Sequence, residues 1–121
     1  MRVKKIKIGI RDLKTALDDF VETGEAIKRG EKVKKETGVY FTSFEAFRKA
    51  LTPKRLELLH IIKTKKPSSI NELARFAKRD IKNIADDVKY LEQTGFIVIE
   101  ETKRRSAPVV KYDRINLEIA V

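Results

Sequence analysis

The side chains best suited to binding chemistry in this sequence are amides and cations that lie between residues 75 and 105. Lys82 and Asn83 are neighbours, and an amide can pair bidentately with adenine while an ammonium group can donate to guanine. We therefore expect these two residues to read base edges. Seven further cations are suited to phosphate contacts, in which charge rather than base identity is recognised: Arg75, Lys78, Arg79, Lys89, Lys103, Arg104 and Arg105.

The overall charge favours the same kind of partner. The 121 residues include 28 Lys and Arg against 18 Asp and Glu, which leaves a formal charge of +10. Such a field attracts polyanions, and nucleic acid is the first of these to consider. A basic protein with a merely solvated Lys/Glu surface has the same composition, so the order of the elements has to decide between the two.

Residues for enzyme chemistry are sparse. His60 is the one histidine and lies in an apolar helical stretch without a Ser or Cys partner, and the sequence has no cysteine at all. Asp18 and Asp19 point to different faces of a helix, so they form no acid-base pair. No glycine-rich nucleotide loop is present. The sequence predicts no enzymatic activity, no metal site and no cofactor.

The first fifty residues read as a strand followed by a helix. Residues 5–10 alternate polar and apolar, which predicts a strand, and a helix capped by Asp12 follows as far as Gly30. A charged connector spans residues 31–38. The helix carries an apolar stripe spaced by fours and threes, which serves either a dimer seam or docking onto the protein's own core. Its dimerisation candidates are Leu13, Leu17, Phe20 and Ile27.

Four shorter helices are marked by capping signals. One begins at Thr42 or Ser43, and Thr52-Pro53 starts the next, which Pro67 stops. Ser69 with Glu72 has capping-box spacing, and Asp80 caps a helix that Gly95 ends. The last two helices are joined by a tight turn.

The remaining sequence predicts strands. Residues 96–99 and 109–112 form a hairpin whose polar, basic connection is 102–108, and residues 115–121 form a last strand. This last strand pairs with the first one, either within one chain or across a dimer.

Residues 73–97 resemble the second helix, turn, recognition helix and wing entry of MarR- and ArsR-like repressors. The recurrent marks are Leu73-Ala74 in the second helix and Val88-Lys89-x-Leu91-Glu92-x-x-Gly95-Phe96-Ile97 at the end of the third. The stretch is most similar to a prokaryotic group of winged-helix regulators with Arg-Asp before the third helix and Asp-Val-Lys inside it, here Arg79-Asp80 and Asp87-Val88-Lys89. The resemblance covers residues 51–112 and departs from the pattern at Asp86.

The resemblance implies an α+β winged helix-turn-helix fold, here with an extra N-terminal strand-helix element. Residues 1–50 are expected to dimerise or dock, and residues 51–121 to bind double-stranded DNA. The implied function is a cytoplasmic, homodimeric, sequence-specific repressor that reads the major groove with helix 80–94 and the backbone or minor groove with wing 102–108. Two alternatives stay open: an antitoxin-like module that neutralises a partner protein encoded nearby, and a sequence-neutral nucleic-acid binder. No membrane association is expected, and no effector pocket can be read from the sequence.

Overall fold

The computed structural model describes residues 3–30 and 38–121 and shows an α+β fold. The described residues form two compact units. One consists of residues 3–5 and Leu51–Arg114, and the other of Ile6–Ala50 and Ile115–Val121. Most of the predicted connector, residues 31–37, lies outside the described part of the chain, as does the side chain of Ile27. No described helix is both long and apolar enough to span a membrane.

The first unit contains three helices and a hairpin in the order predicted for a winged helix-turn-helix fold. The helices are α3 (Pro53–Lys65), α4 (Ile70–Ala77) and α5 (Ile81–Gln93), and the hairpin strands are β3 (Val98–Glu101) and β4 (Ser106–Val109). All three predicted caps form, because Thr52, Ser69 and Asp80 accept hydrogen bonds from backbone N–H groups in the first turns of their helices. The fold class predicted from the sequence is confirmed.

The core of this unit is built from the inward faces of the three helices and the start of the hairpin. Its fully buried side chains include Leu58, Leu73, Ile84, Leu91 and Phe96, each no more than 1% exposed. Burial of one such side chain stabilises the fold by about 1.5–3 kcal/mol. The helices therefore hold one another through apolar packing, which leaves their polar faces outside.

The hairpin differs from its sequence prediction in the positions of its strands, which are 98–101 and 106–109 where the sequence predicts 96–99 and 109–112. Val98 pairs with Val109 and Glu101 with Ser106 in an antiparallel ladder, so the connection is residues 102–105 rather than 102–108. Thr102 and Arg105 close it by two backbone hydrogen bonds of 2.9 and 3.4 Å. The predicted second strand, 109–112, was placed too late because Pro108 reads as a loop residue. In a sheet of two strands proline is tolerated, since each strand has a free edge.

The second unit has a three-stranded sheet in the order β2-β1-β5, with two helices. Its elements are β1 (Lys5–Ile10), α1 (Leu13–Lys28), β2 (Gly38–Phe41), α2 (Phe44–Ala50) and β5 (Arg114–Ile119). β1 and β2 run parallel, joined across α1, and the Tyr40 ring lies where a Cβ on its register partner Gly9 would stand. β5 pairs with β1 within the same chain, so residues 115–121 join the unit of residues 6–50 and not the one that the sequence assigned as 51–121.

Candidate nucleic-acid interface

A tight turn joins α4 to α5. Lys78 ends α4 in the left-handed conformation, with φ 55°, and its N–H group bonds to the carbonyl oxygens of Ala74 and Arg75. The backbone N–H of Arg79 also reaches Ala74, at 3.2 Å. Asp80 then accepts from the N–H of Lys82 and starts α5. Three residues thus redirect the chain between the two helices, as a helix-turn-helix motif requires.

An ion-pair network centred on Asp87 ties this turn to two helices. Asp87 Oδ2 accepts from Arg79 Nη2 at 2.7 Å, and Asp87 Oδ1 accepts from Arg55 Nε at 3.1 Å. The Arg55 guanidinium also stacks on the Tyr90 ring, 4.1 Å from its centroid. The three charged side chains are only 15–23% exposed. The network therefore fixes α5 against α3, and it holds Arg79, a phosphate candidate, to an internal carboxylate.

The outward face of α5 carries three of the nine predicted contact residues, Lys82, Asn83 and Lys89. Ile84, Val88 and Leu91 are buried, whereas Lys82, Asn83, Asp86 and Lys89 are exposed. Lys82, Asp86 and Lys89 follow at helical spacing on the face opposite Ile84. Within the described part of the chain no ion pair joins Asp86 to either lysine; the paired carboxylate of this helix is its neighbour, Asp87. Asp86 lies four residues after Lys82 and three before Lys89, a spacing that predicts an ion pair within the helix, and the described residues do not form that pair.

A positively charged cleft lies beside the start of α5. It is open, has a volume of about 670 Å³ and is lined by Asn71, Ala74, Arg75, Lys78, Arg79 and Ile81. Arg75 and Lys78 are exposed. Arg79 Nη1 is buried and has no hydrogen-bond partner among the described residues. The cleft brings together three of the seven cations that the sequence predicts for phosphate contacts.

The other candidates lie on the hairpin and at the middle of α5. Lys103, Arg104 and Arg105 are all exposed at or beside the hairpin connection. The hairpin base is anchored to α3, because Lys63 Nζ donates to the Val110 carbonyl at 3.5 Å and lies 3.2 Å from Asp113 Oδ1. Hydrogen bonds from the Lys4 backbone N–H and from Lys63 lower the pKa of Asp113 below its ordinary value. The hairpin thus presents its cations from a fixed base.

A separate surface, the apolar face of α1, contains the predicted dimerisation residues Leu13, Leu17 and Phe20; the fourth, Ile27, has its side chain outside the described residues. Leu13, Leu17, Phe20 and Val21 are 62%, 55%, 78% and 58% exposed. The half-buried positions of α1 instead hold the small or polar residues Thr15, Ala16, Asp19 and Ala26. The large apolar side chains Leu13, Leu17 and Phe20 are thus exposed on α1, and both roles that the sequence allows for this stripe, a dimer seam and docking, stay predictions.

Two features of the site region were outside the reach of sequence reasoning. Arg55 and Asp87 are 32 residues apart and show no pattern that links them. The hydroxyl oxygen of Tyr112 is buried without a hydrogen-bond partner among the described residues, and burial raises the pKa of Tyr112. In the part of the chain that the structure describes, no group of three or more His, Asp or Glu side chains is arranged to hold a metal ion.

Comparison with solved structures finds proteins of related shape. One is the crystal structure of the predicted DNA-binding transcriptional regulator from E. coli, with a TM-score of 0.49 and 18% identity over 82% of this chain and 84% of that one. Another is the solution NMR structure of the homodimeric winged helix-turn-helix DNA-binding domain (fragment 1-100) Mb0332 from Mycobacterium bovis, a possible ArsR-family transcriptional regulator. Its TM-score is 0.46, with 15% identity over 82% of this chain and 70% of that one.

Both TM-scores lie below 0.5, so neither likeness bears on the function of this chain. Among curated proteins, none matches it. The model of the family HVO_A0114 matches residues 50–117, which include all of α3, α4, α5 and the hairpin. With more than half of its residues matched, the chain belongs to the HVO_A0114 family.

Proposed function

We propose that this protein is a sequence-specific DNA-binding transcriptional regulator that acts as a homodimeric repressor. α5 enters the major groove, and the β3–β4 hairpin contacts the phosphate backbone or the minor groove. One observation carries the proposal: Arg75, Lys78 and Arg79 line an open cleft directly beside the exposed first turn of α5. Cations at this place suit phosphates that flank a groove, and the neighbouring turn then faces the bases.

The start of α5 has the chemistry to read a base pair. Lys82 and Asn83 are exposed there, and the positive end of the helix dipole favours the approach of the polyanion. Asn83 pairs with adenine through its amide, and Lys82 donates to guanine. Lys89, two turns further on, reaches phosphate, while Lys103, Arg104 and Arg105 extend the contact from the hairpin.

Asp86 is the residue that fits this proposal least, since an exposed carboxylate on the outward face of α5 repels phosphate. Its lack of an ion-pair partner among the described residues leaves its charge uncompensated. We assign it a role in discrimination: it accepts from a cytosine amino group in the correct site and penalises other sequences.

The homodimer rests on the apolar face of α1. Four large apolar side chains on one exposed helix face form a surface that a second copy can cover. A dimer presents two copies of α5, which then lie in successive major grooves about 34 Å apart.

Mobility-shift titration against the protein's own promoter tests the proposal. We expect a preferred sequence in that region, with affinity falling as salt rises. Asn83→Ala should lower the affinity for the preferred DNA sequence by about 10- to 100-fold, because one bidentate contact is lost. It should also relax the selection at one base pair. Gln93→Ala, at the opposite end of the same exposed face, is the matched control and should keep the preference. Equal affinity for all DNA sequences would contradict the proposal and favour a sequence-neutral nucleic-acid binder.

A second candidate function follows from the same apolar face of α1. Its large exposed side chains also suit a partner of a different kind, as in an antitoxin that covers a toxin encoded nearby. Light scattering on the purified chain distinguishes the two. A stable dimer favours the regulator, whereas a monomer that co-purifies stoichiometrically with the product of an adjacent gene favours the interaction module.

A further inference from the structure

A second cleft in the winged-helix unit lies away from α5. It has a volume of about 450 Å³ and opens between the end of α3 and the inner side of the hairpin. Its walls are largely apolar and include Ile62, Pro67, Pro108 and Val110, all of them buried. The volume lies within the range of small-molecule sites, which are concave, mostly apolar and equipped with a few polar groups.

Two backbone features lie in the walls of the cleft. α3 ends at Lys66, which adopts the left-handed conformation with φ 47°, and Pro67 then turns the chain away. On the other side Pro108 lies within β4 and pairs with Ile99, so its ring forms part of a rigid strand. The hairpin connection also contributes to the lining, through Thr102 and Arg105.

The charges in the cleft are unbalanced. Its lining includes three cations, Lys63, Lys66 and Arg105, and one carboxylate, Glu100. The Lys63 ammonium lies 3.2 Å from Asp113, and Glu100 lies 3.7 Å from an external lysine, Lys111.

Lys66 and Arg105 remain uncompensated. Among the described residues neither side chain has an ion-pair partner, and both are exposed. Two unpaired positive charges at the mouth of an apolar cleft complement a ligand with an apolar body and one anionic group. A strongly hydrated anion such as phosphate lacks the apolar part, and a neutral ring lacks the charge.

We propose that this cleft binds a small organic carboxylate. The ring or alkyl chain contacts Ile62, Pro108 and Val110, and the carboxylate accepts hydrogen bonds from Lys66 and Arg105. Arginine suits this role because its planar guanidinium matches the two oxygens of a carboxylate.

The same ligand regulates DNA binding, an extension that rests on the proposed function. Arg105 belongs both to this cleft and to the hairpin cations assigned to phosphate. A carboxylate that holds the Arg105 guanidinium competes with phosphate for it, so the ligand weakens the complex with DNA. The cleft thereby couples a metabolite of this class to release from the operator.

Binding is tested on the full chain by ¹⁵N-resolved NMR titration with benzoate, phenylacetate and hexanoate, at constant ionic strength set with sodium chloride. We expect saturable shifts at Ile62–Ser68 and Ala107–Val110 for at least one of the three. Benzyl alcohol and inorganic phosphate, which each lack one half of the ligand, should bind at least about tenfold more weakly. No saturable shift at the cleft with any of the three carboxylates overturns the proposal.

Variants locate the contact. Lys66→Gln and Arg105→Gln should each weaken carboxylate binding about tenfold, whereas Lys103→Gln, an exposed cation outside the lining, should leave it unchanged. Glu100→Gln removes the carboxylate of the lining and should strengthen binding, an outcome that no loss of folding can imitate. Equal effects of Lys66→Gln and Lys103→Gln would show attraction by net charge alone and contradict the site.

The regulatory arm uses Lys66→Gln, because Lys66 is not among the proposed DNA contacts. The carboxylate should lower the affinity of the wild-type protein for promoter DNA in the mobility-shift assay. It should leave the affinity of the Lys66→Gln variant unaltered. Carboxylate binding without any DNA binding would refute the proposed function and keep the cleft. DNA binding by a protein that binds none of the three carboxylates would support the proposed function and refute the ligand site in the cleft.

Discussion

Asp87 shows how a single acidic residue can serve a surface that binds an anion. Its two oxygens are occupied by Arg55 and Arg79, at 3.1 and 2.7 Å, and its side chain is 15% exposed. The negative charge is therefore neutralised within the protein, where it holds α5 against α3 and the turn that precedes α5. Asp86, one residue earlier, is exposed and has no such partners among the described residues.

We expect Asp87→Asn to destabilise the fold by about 1–3 kcal/mol. Removal of the charge takes the Asp87 carboxylate away from two partly buried guanidinium groups, and partial solvation keeps the cost below that of a fully buried pair. Asp86→Asn is the matched control and should change stability by less than about 0.5 kcal/mol. Urea unfolding followed by circular dichroism measures both, and equal stability of the two variants would contradict the network.

The hydroxyl group of Tyr112 does not contribute a hydrogen bond to the described part of the fold. Its oxygen is buried without a hydrogen-bond partner among the described residues, and burial raises the pKa of Tyr112. Since an unsatisfied buried hydroxyl costs free energy, we expect Tyr112→Phe to stabilise the protein by up to about 1 kcal/mol at pH 7. A loss of stability at pH 7 would reveal a hydrogen bond that this hydroxyl makes.

The raised pKa of Tyr112 also predicts a pH dependence. The unfolded chain releases the phenolic proton near pH 10, while the folded chain keeps it to higher pH. Unfolding is therefore increasingly favoured as the pH rises above 10. The stability advantage of Tyr112→Phe over wild type should be constant below pH 9 and grow above pH 10, which urea titrations at a series of pH values measure.

At the scale of the element, α1 packs with an unusual choice of faces. Its half-buried side includes Ala16 and Ala26, while Phe20 is 78% exposed. The helix forms although Leu13, Leu17, Phe20 and Val21 are exposed. Asp12 caps it through the Thr15 N–H at 2.7 Å, and Arg11 pairs with Asp19. A helix held in this way is free to use its apolar face for association.

Phe20→Ala should weaken self-association while the fold is kept. An aromatic anchor at the centre of an interface commonly contributes about 2 kcal/mol or more, and a symmetric dimer contains it twice. We expect the dimer dissociation constant to rise on the order of 10³-fold, because the loss of about 2 kcal/mol occurs twice, with little change in unfolding of the monomer. Sedimentation equilibrium measures it, with Glu22→Ala as the control on the polar side of the helix. A dimer unaffected by Phe20→Ala would place the interface elsewhere.

Elements with a local signal were predictable from the sequence. Each of the N-cap residues Thr52, Ser69 and Asp80 marks the start of a helix, because its side chain accepts a hydrogen bond from a backbone N–H within three residues. The structure contains all three hydrogen bonds. Lys82, Asn83 and Lys89 were placed on the outward face because helical spacing fixes their direction relative to Ile84. A period of 3.6 residues carries that information without any tertiary contact.

Features that depend on distant contacts were not predictable in the same way. The parallel pairing of β1 with β2 leaves no mark in either strand, and β4 begins at Ser106 because pairing with β3 outweighs the loop character of Pro108. Arg79 was placed at phosphate from its charge alone, although Asp87 engages it. In each case a partner remote in sequence decides the structure.

At the scale of the whole molecule, the charge of +10 and the number of chains in the complex are linked through the salt dependence of binding. Each phosphate contact releases condensed counterions, so the slope of log affinity against log salt changes by about 0.9 for every contact removed. Arg104 and Arg105 are both exposed at the hairpin and are both assigned to phosphate. Their joint removal therefore counts how many hairpins touch the DNA.

We expect Arg104→Ala with Arg105→Ala to reduce the magnitude of this slope by roughly 4 for a dimer, against roughly 2 for a bound monomer. The double variant should weaken all sequences alike, because phosphate contacts carry no base information. Lys5→Ala with Lys14→Ala removes the same charge from exposed positions outside the proposed interface and should change the slope much less. Fluorescence anisotropy between 50 and 200 mM salt, a range over which such contacts alter affinity by about 10³-fold or more, measures the slopes. An equal change in both double variants would mean that net charge, and not a hairpin seated on DNA, governs the binding.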